Sequence, residues 1–156
     1  MARTGRFPGP GRSYTNAEFV DTNVIVYAYD ETAGPKRERA RLLLSGLWES
    51  GGGVISVQVL LELFVTLTRK LRPSLPQSEA EAILEDLSLW KVVEPTKGDV
   101  LTATRVASRW GISLWDAMIL VAAQDAGARV LWSEDLQHGQ DYDGVSVRNP
   151  FHPEPS

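Results

Sequence analysis

The sequence predicts a three-layer α/β/α fold, in which a central, mainly parallel sheet is flanked by helices. Short apolar segments such as Val54-Ile55-Ser56 are typical of buried strands, and amphipathic segments of about ten to fifteen residues separate them. This alternation is typical of parallel sheets, whose strands are joined by helices that cover both faces. With 156 residues, 43% apolar and 23% charged, the chain has the size and composition of one globular domain.

Composition excludes several classes of protein and of site. The chain has no cysteine, which excludes disulfide frameworks, thiolate metal sites and a cysteine nucleophile. The absence of cysteine is typical of a reducing compartment, and we predict a cytoplasmic protein. No apolar run approaches the ~20 residues of a membrane-spanning helix, so no membrane partner is expected. The net charge of −4 excludes a surface coated in positive charge, so any contact with a polyanion must be local or assisted by metal ions.

Residues 1–17 differ in composition from the rest of the chain. They are rich in arginine, glycine and proline and contain no acidic residue. Such a segment buries too little apolar surface to order itself, so we predict a disordered extension. The folded domain is predicted to span residues 18–151, and residues 152–156 are predicted to form a polar tail.

The first half of the domain is predicted from its turn residues and periodicity. A strand at residues 19–21 precedes a short helix that runs towards Asp30. Gly34-Pro35 then precedes an amphipathic helix at residues 36–50, which the three glycines at 51–53 end. A buried strand follows at residues 54–56, and a helix at residues 57–72 ends before Pro73.

The second half repeats the pattern. Ser78, with Glu81 in capping-box position, is predicted to begin a helix that runs to Trp90. A strand at residues 91–94 is followed by a helix at 97–110, which Gly111 ends. Residues 113–127 form a strongly apolar helix, and strands follow at 129–132 and 145–148.

Four acidic residues are predicted near the carboxyl ends of the strands, where functional groups of open parallel sheets gather. Asp21 ends the first strand, and Asp135 follows the strand at 129–132. Asp116 lies in the first turn of the apolar helix, and Glu62 lies in the helix after the second strand. Each has a purely structural alternative: an N-cap for Asp21, a capping box for Asp116, a polar stripe for Glu62 and a turn for Asp135.

Taken together, the four carboxylates predict a metal site. Two carboxylates ~5 Å apart repel by about 3 kcal/mol at an effective dielectric constant near 20, so a cluster requires protons or a cation. Oxygen ligands, without cysteine and with only two histidines in the chain, select a hard ion such as Mg²⁺ or Mn²⁺. Ions held by a few carboxylates are the arrangement used on phosphate esters.

These residues lie in four blocks that resemble the motifs of PIN-domain ribonucleases, in particular the VapC toxin subunits of bacterial VapBC toxin–antitoxin pairs. The blocks are Phe19-Val20-Asp21-Thr22-Asn23-Val24, the single Glu62, Ser113-Leu114-Trp115-Asp116-Ala117-Met118-Ile119 and Trp132-Ser133-Glu134-Asp135-Leu136-Gln137. The resemblance spans residues 19–151. Asp-Thr-Asn alone is a common string, but four blocks in this order and at these spacings are specific.

The resemblance implies a PIN-like fold and an acidic catalytic set. The implied catalytic residues are Asp21, Glu62, Asp116 and Asp135. Three of them, Asp21, Asp116 and Asp135, are implied to bind Mg²⁺ or Mn²⁺, while Glu62 coordinates directly or through water. Asn23 and Ser133 are implied polar supports. Glu134 stands beside Asp135, which leaves open which of the two carboxylates faces the metal.

The implied activity is that of a divalent-metal-dependent endoribonuclease, which hydrolyses RNA phosphodiester bonds and leaves a 5′-phosphate and a 3′-hydroxyl. The implied partners are the RNA substrate, a cognate antitoxin that blocks the site, and a second copy of the chain in a homodimer. Two alternatives stay open: a housekeeping PIN nuclease of RNA processing, and a non-catalytic RNA-binding or assembly module.

Basic and aromatic residues outside these blocks give further expectations. Lys36, Arg37, Arg39 and Arg41 cluster at a helix start, where the helix dipole disfavours cations, which favours an electrostatic role such as RNA contact. The two histidines are predicted to be exposed. The five tryptophans are predicted to lie mostly in the core, with a cleft or a partner groove as the alternative for Trp115.

Overall fold

The computed structural model describes residues 16–153, within which six strands form one sheet in the order β3-β2-β1-β4-β6-β5. The strands are β1 (Glu18–Val20), β2 (Gly53–Ser56), β3 (Lys91–Val93), β4 (Val130–Trp132), β5 (Asp141–Tyr142) and β6 (Val145–Arg148). All neighbouring strands are parallel except β5 and β6. In the centre, Phe19 of β1 lies opposite Val54 of β2 on one side and Leu131 of β4 on the other.

Six helices and one π-helical turn connect these strands within the same residues. They are α1 (Thr22–Tyr27), α2 (Pro35–Ser50), α3 (Val57–Val65), the π-helical turn Thr66–Lys70, α4 (Gln77–Leu87), α5 (Lys97–Trp110) and α6 (Leu114–Asp125). The strand order moves outward from β1 to β3 and then returns to the other side of β1 for β4. Because crossovers between parallel strands are right-handed, helices α1–α4 cover one face, and α5 and α6 cover the other. The predicted three-layer α/β/α fold is confirmed.

The core lies between the sheet and the inner faces of the helices. Phe19, Ile55 and Leu131, from three neighbouring strands, are fully buried, and so are Leu63 of α3 and Leu120 of α6. Fully burying one side chain of this size contributes about 1.5–3 kcal/mol. The packed sheet therefore gives the loops at its carboxyl edge a rigid base.

Close packing at β2 depends on a glycine. A Cβ added at Gly53 would lie 2.7 Å from three carbons of the Trp90 ring, which is closer than real Cβ contacts allow. The Trp90 ring in turn meets the Trp48 ring edge-on, with 5.5 Å between the ring centroids. Only glycine lets the indole of Trp90 lie directly against this strand.

The helix predicted at residues 57–72 changes character before its end. The α-helix ends at Val65, and the chain continues as the π-helical turn Thr66–Lys70. A π-helical turn inserts one residue into the helical repeat, and such turns occur frequently at functional sites. Thr66 and Lys70, the first and last residues of this turn, line the cavity described below.

The capping box predicted for the next helix is wrong. α4 begins at Gln77, one residue before the predicted Ser78 cap, and its N-cap position is Pro76, with no side-chain cap. Pro76 has the extended backbone of an N-cap residue, but it carries no side-chain acceptor for the first free N–H groups of the helix. A capping box forms instead at α5, where Thr96 and Asp99 bond reciprocally to each other's backbone N–H groups.

Strand β5 is absent from the sequence-based prediction. It pairs antiparallel with β6 through a tight turn at Asp143 and Gly144, whose φ values are +54° and +98°. Asp-Gly is a strong signal for a two-residue hairpin, because both positions adopt positive φ at low cost. That signal was present in the sequence.

The ends of the predicted domain are partly described. Residues 1–15 and 154–156, which hold most of the predicted extension 1–17 and most of the predicted tail 152–156, lie outside the described residues. Ala17 is buried against the core, so the domain includes one residue more than predicted at this end.

Among residues 16–153 no single helix is long and apolar enough to cross a membrane. Helices α5 and α6 together have the length and composition of such a span, but the chain bends by 115° between them.

Candidate active site

The carboxyl ends of β1 and β4 lie side by side at the point where the strand order reverses. Asp21 directly follows β1, and its backbone N–H donates to the carbonyl of Trp132, across 2.9 Å. The Asp21 carboxylate also caps α1, since Oδ1 accepts from the Thr22 backbone N–H at 2.7 Å. Asp21 is only 4% exposed. Asp21 is therefore the N-cap of α1, as one interpretation predicted. Its other carboxylate oxygen, Oδ2, accepts hydrogen bonds from Ser133 and Asn23.

Ser133 connects the ends of these two strands. Its hydroxyl donates to Asp21 Oδ2 at 2.8 Å and accepts from the Asp135 backbone N–H at 3.1 Å. Ser133 is fully buried. A buried hydroxyl with both a donor and an acceptor contact is satisfied and holds its neighbours at fixed distances. It therefore fixes the loop that carries Asp135 relative to Asp21.

The Asn23 side chain bridges two of the acidic residues. Its Nδ2 donates to Asp21 Oδ2 at 3.2 Å and to Asp135 Oδ2 at 2.9 Å. Its Oδ1 accepts from the Glu134 backbone N–H at 3.1 Å. Because that backbone group is an obligate donor, it fixes the orientation of the amide and turns Nδ2 towards the carboxylates.

Glu62 reaches the same place from α3. Its Oε1 accepts from the Thr22 hydroxyl at 2.8 Å, and its Oε2 accepts from Gln58 Nε2 at 3.2 Å. Gln58 Nε2 also lies 3.2 Å from the backbone carbonyl of Trp115, which ties α3 to the start of α6. The predicted polar stripe on α3 is present, and it faces the acidic residues.

Asp116 lies in the first turn of α6. Ser113 caps this helix, because its hydroxyl accepts from the Asp116 backbone N–H at 3.0 Å. The cap uses the backbone N–H of Asp116. Its carboxylate is half-buried at the edge of a cavity, where a hydrogen bond from the Ser113 side chain lowers its pKa against the larger effect of burial.

All four acidic residues line one cavity of about 620 Å³, here called the acidic cavity. Asp30 of the loop after α1 and Lys70 of the π-helical turn also line it. The structure thus brings together four residues that are separated by up to 114 positions in the chain. It also places Asn23 in the cavity lining and Ser133 in the buried layer beneath.

Burial and mutual repulsion change the acidity of two of these groups. Burial raises the pKa of Asp21 from 3.8 to about 7, and the charges of Asp135 and Glu62 add to that effect, while hydrogen bonds from Ser133 and Thr22 oppose it. Burial, with the charges of Asp135 and Glu62, also raises the pKa of Asp116. Groups this close are stabilised by a proton or by a cation.

The neighbouring carboxylate, Glu134, is directed away from the cavity. Its Oε2 forms an ion pair with Lys36 Nζ, and its Oε1 accepts from the Tyr27 hydroxyl at 2.8 Å. The Lys36 ammonium also lies 4.8 Å from the centre of the Tyr27 ring and 5.4 Å from that of Phe151. We call Tyr27, Lys36, Glu134 and Phe151 the Lys36 cluster. Of the two adjacent carboxylates, Asp135 lines the cavity and Glu134 belongs to this cluster.

The donor set fits a hard divalent cation by its chemistry. It consists of carboxylate oxygens with amide and hydroxyl groups nearby, and the raised pKa of Asp21 shows that negative charge is disfavoured there without a cation. Within residues 16–153 no three acidic or histidine side chains are already grouped as ligands of one point. Asp116 and Asp135 are only partly buried or exposed, so rotation of their side chains would allow them to approach Asp21.

Thr22 and Lys70 were not predicted to lie at the site, and for Trp115 the core was favoured over the cleft. Trp115 is 67% exposed at the cavity rim, although the tryptophans were predicted to be mostly core; Trp48 is also exposed, at 42%. The available signal was its position: Trp115 stands in the first turn of a helix, directly before Asp116, which was itself predicted to lie at the site. Thr22 and Lys70 carried no such signal, because their positions depend on tertiary contacts and on the π-helical turn.

Comparisons with known proteins agree with this architecture. The family model described as "PIN domain" matches residues 19–140. A toxin–antitoxin complex from Klebsiella pneumoniae is similar in structure, with a TM-score of 0.65 and 18% identity, over 88% of this chain and 100% of that chain. VapC20 of Mycobacterium tuberculosis, a toxin that cleaves the sarcin-ricin loop, has a TM-score of 0.59 and 19% identity, over 76% of this chain and 90% of that chain.

A third similar structure is a DNA-bound VapBC complex from Salmonella typhimurium. It has a TM-score of 0.58 and 21% identity, over 86% of this chain and 98% of that chain. At these identities, the similarity establishes a shared fold. No curated protein matches the chain by sequence.

Proposed function

The chain belongs to the PIN domain family, and from that membership we propose that it is a divalent-metal-dependent endoribonuclease, the toxin of a toxin–antitoxin pair. One observation carries the proposal. Four carboxylates that are far apart in the sequence line a single cavity, at the carboxyl ends of adjacent parallel strands. The structural similarity to toxin–antitoxin complexes supports the assignment as a toxin.

The proposed ligands of Mg²⁺ or Mn²⁺ are Asp21, Asp116 and Asp135, with Glu62 coordinating directly or through water. When bound, the ion would supply Lewis acidity and charge neutralisation for in-line attack of water on an RNA phosphodiester. The remaining work falls to the protein. Asn23 and Ser133 hold Asp21 and the loop that carries Asp135 in place, so that the reorganisation left on binding is confined to side chains.

Glu62 is suited to accept a proton from the attacking water. Its two oxygens are held by Thr22 and Gln58, and it is half-buried at the cavity wall. A base must lie within hydrogen-bond reach of the proton that it takes, and Glu62 lines the cavity in which we propose that the phosphodiester binds. We propose that cleavage leaves a 5′-phosphate and a 3′-hydroxyl.

The test is incubation of the purified chain with total RNA, with Mn²⁺ and with EDTA. We expect cleavage only with Mn²⁺, and none from Asp21→Asn. Asp86→Asn is the matched control, because Asp86 is exposed on α4, outside the acidic cavity. Equal cleavage by Asp21→Asn and the parent chain would contradict the proposed site.

We propose that an apolar segment of an antitoxin covers the rim of the acidic cavity. Leu61 and Val65 of α3 are 65% and 41% exposed, and Trp115 of α6 is 67% exposed; all three line the cavity. Large exposed apolar patches mark partner surfaces. A small protein encoded beside this chain should inhibit its ribonuclease activity, and Leu61→Ser should weaken that inhibition. Inhibition that is unchanged in Leu61→Ser would place the antitoxin elsewhere.

We also propose a homodimer. Val100 and Leu101 of α5, at 43% and 60% exposed, are a second apolar surface, which lies outside the cavity lining. A mass in solution near twice the 17.2 kDa of the chain is expected, and Leu101→Ser should lower it. A monomeric parent chain at micromolar concentration would contradict this part of the proposal.

A further inference from the structure

A second cavity, of about 920 Å³, opens beside the edge of α2 and the end of β6. We call it the basic cavity, because it is lined by Arg39, Arg148, His138 and His152 and by no acidic residue among those described. The chain as a whole carries 20 acidic and 16 basic residues, so this lining departs from the average charge of the surface. In the acidic cavity, by contrast, acidic side chains predominate, and Lys70 is the one lysine or arginine among the described lining residues.

The two arginines of the basic cavity are free to bind an anion. Lys36 and Arg109 form ion pairs with carboxylates, but within residues 16–153 neither Arg39 nor Arg148 does. Arg39 uses one guanidinium nitrogen to donate to the carbonyl of Pro150, at 3.2 Å, which positions the group over the cavity. Guanidinium groups match the geometry of phosphate oxygens and are favoured in phosphate recognition.

Flat ring surfaces lie next to these charges. The His138 and His152 rings stack with 4.0 Å between centroids and an angle of 13° between their planes. His138 Nδ1 accepts from the Asn149 backbone N–H at 2.9 Å, which fixes the orientation of its ring. Both histidines are exposed and line the cavity, so the pair is accessible to a planar group. Aromatic faces beside positive charge are typical of single-stranded nucleic acid sites.

The two cavities are neighbours, separated by the Lys36 cluster. Tyr27 lines the acidic cavity, and its ring meets the Phe151 ring at 4.9 Å. Phe151 lies between Pro150 and His152, which line the basic cavity. Trp132 lines the basic cavity and Asp135 the acidic one, and three residues span at most about 10 Å. The two linings therefore approach each other closely at this loop, so one nucleic acid strand could contact both.

From this juxtaposition we infer that the basic cavity is a subsite for the RNA substrate. A single-stranded segment flanking the cleaved bond lies with its phosphates on Arg39 and Arg148 and a base against the His138–His152 pair. The inference rests on the proposed ribonuclease function and adds to it the strand conformation and a binding site outside the acidic cavity. It also divides the basic cluster at the start of α2: Lys36 is structural, whereas Arg39 contacts substrate.

The test measures binding of a fluorescein-labelled, mixed-sequence single-stranded 20-mer RNA to the full chain in EDTA, by anisotropy, over a range of KCl concentrations. Each phosphate contact contributes about 0.7 to the slope of log Kobs against log salt concentration for single strands, so Arg39→Ala/Arg148→Ala should lower the slope by about 1.4. Arg105→Ala is the control, because Arg105 is exposed on α5, outside both cavities. It should leave the slope unchanged.

A second double variant separates the charge of the two side chains from their shape. Arg39→Lys/Arg148→Lys retains both charges, so it should retain the salt slope while losing the planar contacts to phosphate. In Mn²⁺, the alanine double variant should raise KM for RNA cleavage with kcat little changed, because contacts outside the reacting bond stabilise substrate and transition state equally. Thermal unfolding of each variant near that of the parent chain excludes misfolding as the cause.

The outcomes separate the two claims. If the parent chain cleaves RNA but the alanine double variant has the same slope and KM, the inference is wrong and the proposed function stands. A slope that falls equally in Arg105→Ala would also overturn the inference, since binding would then follow total charge. If the parent chain does not cleave RNA in Mn²⁺, the proposed function fails and the inference fails with it.

Discussion

The side-chain amide of Asn23 donates to Asp135 Oδ2 across 2.9 Å, and so joins two residues that lie 112 positions apart in the chain. The same nitrogen contacts Asp21 Oδ2, so one neutral donor lies between two carboxylates that would otherwise repel. Removing it therefore changes both the geometry and the electrostatics of the acidic cavity.

We expect Asn23→Ala to lower the affinity for Mn²⁺ by about 10–100-fold, because groups that orient metal ligands typically contribute that much. Isothermal titration with Mn²⁺ measures it. Gln140→Ala is a suitable control, since within residues 16–153 the Gln140 side chain donates a hydrogen bond to the backbone carbonyl of Asp141 and to no residue of the acidic cavity. An unchanged Mn²⁺ affinity in Asn23→Ala would show that the amide does not position the ligands.

Asp21→Asn should make the metal-free chain more stable at neutral pH. Burial raises the folded-state pKa of Asp21 to about 7, above its value of 3.8 when exposed. The folded state therefore holds a proton that the unfolded state has lost, and stability falls as the pH rises from about 4 to about 7. In EDTA at pH 7, Asp21→Asn should therefore have a free energy of unfolding about 2–4 kcal/mol higher than that of the parent chain.

Urea denaturation in EDTA at pH 4, 5.5 and 7 measures this effect. The parent chain should lose stability across that interval, and Asp21→Asn should lose markedly less. Asparagine remains a good N-cap, so the Thr22 contact at the start of α1 is preserved. Parallel pH profiles for the two chains would show that Asp21 is not the group responsible.

Divalent metal should reverse this instability. Binding to the folded state alone stabilises by about 2.7 kcal/mol at 100 times Kd, which for a chain of this length corresponds to a rise in Tm of about 5–10 °C. Differential scanning calorimetry with MnCl₂ and with CaCl₂ or NaCl at matched ionic strength measures it. Asp116→Asn should reduce the rise; an equal rise in that variant would place the ion away from Asp116.

Glu134→Gln should leave most of the RNA cleavage activity, whereas Asp135→Asn should remove most of it. Burial favours the neutral form of Glu134, but hydrogen bonds from Lys36 and Tyr27 outweigh burial and lower its pKa. Because this pair is partly exposed, its loss should cost about 1 kcal/mol or less and leave most of the ribonuclease activity. Asp135→Asn should remove most of it. RNA cleavage rates of the two variants in Mn²⁺ test this expectation. Loss of cleavage in Glu134→Gln, with activity kept in Asp135→Asn, would assign the metal to Glu134.

Gly53→Ala should destabilise the fold by about 1–3 kcal/mol, since the new methyl group would overlap the Trp90 ring. Gly46→Ala is the matched control, because it lies in α2 with nothing within 4 Å of a new Cβ. There the substitution should stabilise by about 0.5–1 kcal/mol, through helix propensity. Thermal unfolding of both variants tests the pair, and equal shifts would contradict the packing argument.

Much of the fold could be predicted because local signals and burial agreed. The helix at 97–110 and the strand at 145–148 were predicted with the bounds that the structure has, since glycines mark their ends and their apolar residues follow the expected period. The grouping of four carboxylates was predicted from the parallel direction of the strands, because the carboxyl ends of parallel strands share one edge of the sheet.

Other features depend on contacts that no local pattern carries. Whether Asp135 or Glu134 faces the cavity is decided by Lys36, 98 positions away from Glu134. The exposure of Trp115 depends on how α6 meets α3 through Gln58. The π-helical turn that directs Lys70 to the cavity arises within an apolar helix whose sequence predicts a regular one.

The ends of the sheet limit how copies of the chain can associate. At one side β5 has two residues and pairs antiparallel, and at the other β3 has three. Strands this short expose too few backbone groups to recruit an additional strand, so growth into fibrils by edge pairing is disfavoured. Self-association must then proceed through helix side chains, where single substitutions can tune it without disturbing the sheet.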